Sequence, residues 1–258
     1  MCRKNEKRSL GMLTVVVLIV LLPISYMVIW SFYGENTFSL MAYYEVLLAE
    51  PEYLIKFWRS LFLSLGIAAG QTLISSMAAF GFSKYRFRGW KFMFVLMLLF
   101  MLLPIQVMLL PNYLLLDKLQ LLDSWWSLLL PNIFAPFGTV WLTFAFSTVP
   151  DEMLSAAKVD GANAWQILWK IMLPCVKAAV VTLFLLSFVE SWNMVEQPIT
   201  FLKDASHYPL SVFLVFINEE SSAVQSVCGI LCCIPVTLLL LYYREEFVEG
   251  MKKTFEVY

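Results

Sequence analysis

Charge is what this chain has least of. Only 14% of its 258 residues are Asp, Glu, Lys or Arg, against 60% hydrophobic and 16% aromatic, and the mean hydropathy is +0.76. A soluble domain needs more charge to keep its surface hydrated, so the composition excludes an ordinary soluble protein and indicates an integral membrane one. The net charge is −1, so no global field favours nucleic acid, and no basic–aromatic pattern of the kind that binds it occurs. Histidine is nearly absent: His207 is the only one, and no cysteine stands with it at metal-ligand spacing. Cys2, Cys175, Cys228, Cys232 and Cys233 avoid the expected outer loops and read as small apolar fillers. No G-x-x-x-x-G-K-[ST] occurs, which excludes ATP binding by a P-loop. The chain also lacks a His-Glu zinc motif and any Ser-His or paired-Asp constellation, which argues against a membrane-embedded enzyme.

What is abundant is the long apolar run. Charge-free stretches at about 11–33, 60–83, 92–112, 124–147 and 222–243 are each long enough to cross roughly 30 Å of hydrocarbon at about 1.5 Å per residue. A sixth, at 174–197, is interrupted by Glu190 and Glu196. Six helices follow, because a helix satisfies its own backbone in lipid. The basic N-terminus resembles a signal sequence, but the run behind it is too long and has no small-residue cleavage site, so it reads as an uncleaved first span. Fourteen of the 18 Lys and Arg fall before span one, in 84–91, in 158–177 or after 243. Only Lys56, Arg59, Lys118 and Lys203 fall on the other side. The positive-inside rule then places both termini in the cytoplasm. Lys84, Arg86, Arg88 and Lys91 read as topology determinants, and His207 as an ordinary outer surface residue. The outer loops, about 35–59, 113–123 and 198–220, are too short for a separate domain, so residues 1–258 are expected to form one membrane domain. Pro23, Pro104, Pro131, Pro136 and Pro235 lie within spans, where they kink helices.

One stretch breaks the apolar pattern, at about 148–173 on the cytoplasmic side. Thr148 with Asp151 fits a capping box, with Pro150 and Glu152 in the first turn. The helix DEMLSAAKV then meets Asp160-Gly161, where Gly161 supplies the positive φ that ends it. Asn163 and Gln166 form a second cap, and AWQILWKIM continues to Pro174. Ala156, Ala157 and Ala162 leave room for a close approach. Trp165, Leu168, Trp169 and Met172 form an apolar stripe. Such a stripe lies either against lipid headgroups or in the groove of a soluble partner.

The run MLSAAKVDGANAWQILWKIMLP resembles the EAA loop of ABC importer permeases, matching at Ala156, Ala157, Asp160, Gly161, Ala162, Ile171, Leu173 and Pro174. It departs at Ser155, where that family usually has Glu. Further segments resemble the carbohydrate-uptake, maltose-type second permease: RSLFLSLGIAAGQTLISSMAAFGFSKYRFRGWK, LLPIQVMLLPNYLLLDKLQLLDS, FVESWNMVEQPITFL and YYREEFVEGMKK. The resemblance implies an all-α integral membrane fold of type I ABC importer permease architecture, with six transmembrane helices and a cytoplasmic two-helix coupling loop. It also implies partners: a second permease subunit in a heterodimer, two ATP-binding subunits and an extracellular solute-binding protein. The chain itself would bind no cofactor, ATP and Mg residing on the partner ATPase, and would sit in the bacterial cytoplasmic membrane. Ser155, Ala156, Ala157, Asp160, Gly161, Ala162 and Trp165 would contact the ATPase, and 151–172 would act as a lever driving alternating access.

A transport path needs polar groups inside the bundle. Glu190 either faces a cavity, as intramembrane carboxylates tend to, or reaches the outer interface about 24 Å beyond Pro174. Trp192 and Asn193 offer an aromatic face and an amide suited to a sugar, or else an interface Trp and a helix-ending Asn. Gln106 and Asn132 either line the same cavity or bond between helices, the second reading being preferred. A sugar or oligosaccharide is the expected solute. The alternatives are an importer for a polyamine or oxyanion, a passive channel or a membrane enzyme.

Overall fold

A computed structural model describes residues 2–34, 37–49, 51–216 and 222–255. Parts of the expected outer loops, residues 35–36, 50 and 217–220, lie outside the described residues, as does Ser221. Among the described residues the regular structure is helical apart from one antiparallel pairing of Tyr33–Gly34 with Thr37–Phe38. Among the described residues four helices are long and apolar enough to cross a membrane, and two sharply bent pairs bring the number to six where each counts as one crossing.

The chain divides into two compact units. The first comprises Met1–Phe57 and Phe213–Ile234. Its helix Cys2–Ser31 exposes Val15 to Leu22 almost continuously, the surface expected of a helix facing lipid. Tyr43 meets Ser31 Oγ at 2.9 Å, and the Tyr53 hydroxyl donates to the Cys228 carbonyl at 3.1 Å. Lys56, counted among the outer charges, is buried here, with Glu52 at 3.5 Å and the Phe213 ring centroid at 5.1 Å.

The second unit comprises Trp58–Val212 and Pro235–Tyr258. It contains most of the helix Pro51–Lys84, which begins nine residues earlier than the apolar run starts. Pro51 and Glu52 favour a helix start there. Around it pack Trp125–Ile133 and Pro136–Ser147, which together form span four. The approach is close: a Cβ at Gly138 would collide with the Ser75 side chain. Many buried polar residues here are small hydroxyls, including Ser64, Ser75, Ser127, Thr139, Ser187 and Ser191, the residues that let helix backbones approach in lipid.

Two spans are broken far more sharply than an ordinary proline kink. Span three breaks into Trp90–Met101 and Ile105–Lys118, bent by 108°. Pro104 has no N–H to continue the first helix, and Leu102 and Leu103 instead close tight turns onto Leu99 and Phe100. Span five is the 16-residue helix Lys177–Trp192, not 174–197. It meets Ala164–Cys175 at 86° through Val176, and the chain starts a new helix at Glu196–Phe201.

Hydrophobic clusters mark the two ends of this unit. Phe80, Phe146, Leu154, Ile167, Met172 and Leu183 belong to one, at the end holding residues 148–176. Leu63, Ile67, Leu116, Leu128, Phe201 and Leu202 form the other. Arg59 and Lys84 bracket them on one helix, 25 residues and about 37 Å apart at the ordinary helical rise.

Candidate functional site

The polar insert folds as helix, turn, helix, but its first cap differs from expectation. Thr148 does not cap Asp151–Val159. It ends the preceding helix, with its hydroxyl donating to the Ala145 carbonyl at 2.8 Å. Pro150, extended at φ −60° and ψ 139°, occupies the cap position and offers no side-chain acceptor. Acidic Asp151 and Glu152 at its start and Lys158 at its end suit the helix dipole.

The turn that follows is held by its backbone. Gly161 has φ +82°, the Ala162 N–H donates to the Ala157 carbonyl at 2.9 Å, and the Gly161 N–H donates to the Lys158 carbonyl at 3.1 Å. This pair of bonds is the Schellman closure, which requires a left-handed residue where Gly161 stands. Asn163 then forms a reciprocal capping box with Gln166, both bonds at 2.9 Å.

The second helix presents two faces where one stripe was expected. Leu168 and Met172 are fully buried with Ile167, while Trp165 and Trp169 point outward, 55% and 51% exposed. The four residues make two adjacent i, i+4 rows, and only one of them faces the core. On the first helix Leu154 and Ala157 are buried, while Met153 and Val159 are exposed, Val159 at 88%. Ser155, Ala156, Asp160 and Gly161 are exposed, and Ala162 is half-buried against the core. Ser155 bonds back to the Asp151 carbonyl at 3.0 Å, leaving the Glu position of the resemblance filled by a hydroxyl satisfied within its own helix. The result is a folded element anchored beneath by a core, with Met153, Val159, Trp165 and Trp169 exposed among polar and charged side chains.

Lys84 bonds to the junction before this element. Its ammonium donates to the Val149 carbonyl at 2.5 Å and to Asp151 Oδ1 at 2.7 Å. That hydrogen bond and charge, with smaller contributions from Arg86 and Lys158, hold the Asp151 carboxyl below its ordinary pKa.

The path candidates separate. Trp192 is buried, stacked on Phe188 with ring centroids 5.8 Å apart, so its face serves packing. Asn193 is exposed and closes its helix by donating to the Val189 carbonyl at 2.8 Å. Glu190 is exposed and has no hydrogen-bond or ion-pair partner among the described residues. Gln106 donates to Glu196 at 2.8 Å, and Asn132 donates to Gln197 at 2.6 Å. Glu196 and Gln197 thus join spans three and four to the short helix after span five. Their partners lie 65 and 90 residues away, and nothing local in the sequence reveals them.

At the far end, Asp123 organises the 201–208 segment. Its carboxylate accepts the Lys203 N–H at 3.1 Å and the Asp204 N–H at 3.3 Å, and lies 3.2 Å from His207 Nδ1. Its own N–H donates to the Phe201 carbonyl at 2.9 Å. The His207 bond first, then the two backbone bonds, lower the pKa of Asp123. His207 is therefore part of a clamp, not an ordinary surface residue. Arg59 supports the same segment by donating to the Ser206 carbonyl at 3.3 Å.

Apolar helices of membrane-crossing length with a core-anchored two-helix insert between them are what an integral membrane transport subunit carries. The family model for the binding-protein-dependent transport system inner membrane component matches residues 71–243, and the chain belongs to that family. It is similar to the arabinooligosaccharide transport permease AraQ of Bacillus subtilis, at 30% identity over 201 residues, covering 76% of this chain and 70% of that one. It is also similar to the sn-glycerol-3-phosphate transport permease UgpE of Yersinia enterocolitica, at 30% over 199 residues, covering 75% and 71%. A chain in the crystal structure of a bacterial ABC transporter that imports the acidic polysaccharide alginate shares the fold. Its TM-score is 0.83 at 23% identity, covering 95% of this chain and 97% of that one. The type I ABC importer permease architecture expected from the sequence is the one found.

Proposed function

We propose that this chain is one permease subunit of an ATP-driven importer that moves a sugar or oligosaccharide across the bacterial cytoplasmic membrane by alternating access. The two-helix element 151–172 docks on a separate ATPase subunit. ATP and Mg belong to that partner, in keeping with the missing P-loop. A second permease subunit completes a heterodimer over two ATPases, and an external solute-binding protein delivers the ligand. Both termini are cytoplasmic, on the side favoured by Lys and Arg.

The observation that carries this reading is the exposed apolar surface of a rigidly built loop. Met153, Val159, Trp165 and Trp169 face outward while the same two helices bury Leu154, Ile167, Leu168 and Met172. An outward apolar helix face with a fixed turn suits insertion into a protein groove.

An uncharged saccharide is favoured over a phosphate ester. Glu190 and Glu196 are both exposed near the end of span five, and no Lys or Arg occurs in 119–157 or 178–202 to hold an anion. The experiment is a gentle purification of the tagged chain from native membranes, followed by identification of its partners. A P-loop ATPase, a second permease and an exported binding protein are expected, and arabinotriose uptake should require ATP. Recovery of the chain alone in several detergents, or uptake that persists without ATP, contradicts the reading and revives a passive channel.

A further inference from the structure

Lys84 belongs to a basic group whose sequence position suggests only membrane orientation, yet it behaves unlike its neighbours. Arg86 and Arg88 are exposed, and the Arg86 guanidinium lies over the Trp90 ring 4.1 Å from its centroid. Lys84, the last residue of the helix Pro51–Lys84, has a side chain only 5% exposed. A buried ammonium persists where acceptors replace its water. Here the acceptors are the Val149 carbonyl and Asp151 Oδ1.

Those two acceptors flank Pro150, and that is where the first helix of the coupling element lacks a local anchor. Pro150 has no N–H and no capping side chain, and Thr148 turns its hydroxyl back to Ala145. The Lys84 ammonium bridges the gap, grasping the chain on both sides of the proline. Lys158, near the other end of the same short helix, lies over the ring of Tyr85, 5.7 Å from its centroid. The end of span two and the residue after it therefore hold the helix Asp151–Val159 near both ends, through Lys84 and Tyr85.

We propose that Lys84 is a positioning residue of the transport cycle, passing displacement of residues 151–159 to span two through its bonds to Val149 and Asp151. The proposal rests on the docking reading above and adds a route by which docking reaches the membrane helices. The apolar cluster beneath the element includes Ala79 and Phe80 of span two, but apolar contact is non-directional. A two-acceptor charged hydrogen bond fixes register.

The test uses the transporter purified with its ATPase subunits in lipid nanodiscs and needs no identified solute. Hydrogen exchange is followed for 151–159 and for 81–89, with no nucleotide and with ATP plus vanadate. In the unaltered complex both segments should change protection together. In Lys84→Met, which keeps the apolar stem but loses both hydrogen bonds, 151–159 should still respond to nucleotide while the response of 81–89 falls at least about tenfold, the lower end for charged hydrogen bonds. Lys84→Arg should restore much of it, and Asp151→Asn should cost less, because the Val149 carbonyl remains. A Lys84→Met complex in which 81–89 responds as before overturns the assignment. So does Lys84→Arg behaving like Lys84→Met, which indicates a packing role. An unaltered complex with no nucleotide response at 151–172 contradicts the docking reading itself, and the assignment falls with it.

Discussion

Gly161 is the position where a substitution can be judged almost entirely from backbone physics. Its φ is +82°, and a Cβ built there meets nothing within 4 Å. Size is therefore irrelevant, and the cost of any side chain is the cost of holding an L-residue in the left-handed region. That cost is about 1 kcal/mol for Ala and about 2 kcal/mol for a β-branched Val, with Asn close to Gly. Left-handed geometry is what allows the Ala162 and Gly161 N–H groups to reach the Ala157 and Lys158 carbonyls. Opening the turn releases the second helix from the first. In Boltzmann terms the closed turn loses about fivefold for Gly161→Ala and about thirtyfold for Gly161→Val. The assay is the ratio of solute imported to ATP hydrolysed, in proteoliposomes holding the whole complex and loaded with the binding protein and arabinotriose. Coupling should fall in the order Gly, Asn, Ala, Val, with ATPase subunits still bound. A flat series refutes the reasoning, and so does one in which Asn is worse than Ala, since that order would follow bulk and not φ.

Leu154 is buried beneath the same element, so Leu154→Ala should destabilise its packing by about 2–4 kcal/mol, read as faster proteolysis at 148–160. Unchanged cleavage would mean that the core under the loop is not structural. The lowered pKa of Asp123 makes its clamp pH-dependent in a definite direction. A depressed carboxylate contributes its stability above its unfolded pKa, near 4, and loses it as pH falls through the lower folded value. A spin label at Ala205 should accordingly stay immobile from pH 7 to about 5 and loosen only on stronger acidification, whereas Asp123→Asn should be loose throughout. Glu196→Gln should raise uptake of sn-glycerol-3-phosphate relative to arabinotriose by removing a charge from the anion's route. An unchanged ratio places Glu196 away from the solute.

The parts legible in the sequence are those whose cause is local. Gly161 after Asp160, and Asn163 three residues before Gln166, are short-range patterns, and the turn and capping box form where they stand. Thr148 fails the same rule because Pro150, fixed at φ −60°, takes the cap position and leaves Thr148 in the helix before it. Reading Trp165, Leu168, Trp169 and Met172 as one stripe merges two adjacent rows, because periodicity alone does not say which row meets a core. The breaks at Pro104 and after Pro174 are legible as kinks, but not their angles of 108° and 86°, which packing sets. The long-range pairs are beyond the sequence. Lys84 with Val149, Asp123 with His207, Gln106 with Glu196 and Asn132 with Gln197 are each 65 to 90 residues apart. Gln106 and Asn132 are conspicuous as polar residues in apolar runs, whereas Glu196 and Gln197 gain meaning only from the fold that brings them there.

The central claim is that residues 151–172 meet an ATPase, and Val159 offers the most direct measurement. It is the more exposed of the two outward apolar residues on the first coupling helix, at 88%, and lies beside the turn, so a photoreactive amino acid there disturbs no buried contact. Illumination of intact cells, followed by mass spectrometry of the adduct, identifies what covers it. The account predicts a cross-link to a cytoplasmic P-loop ATPase, reduced in Gly161→Val. Adducts with lipid alone, and none with any ATP-binding subunit, would contradict it and leave the two helices as an element lying on the membrane surface.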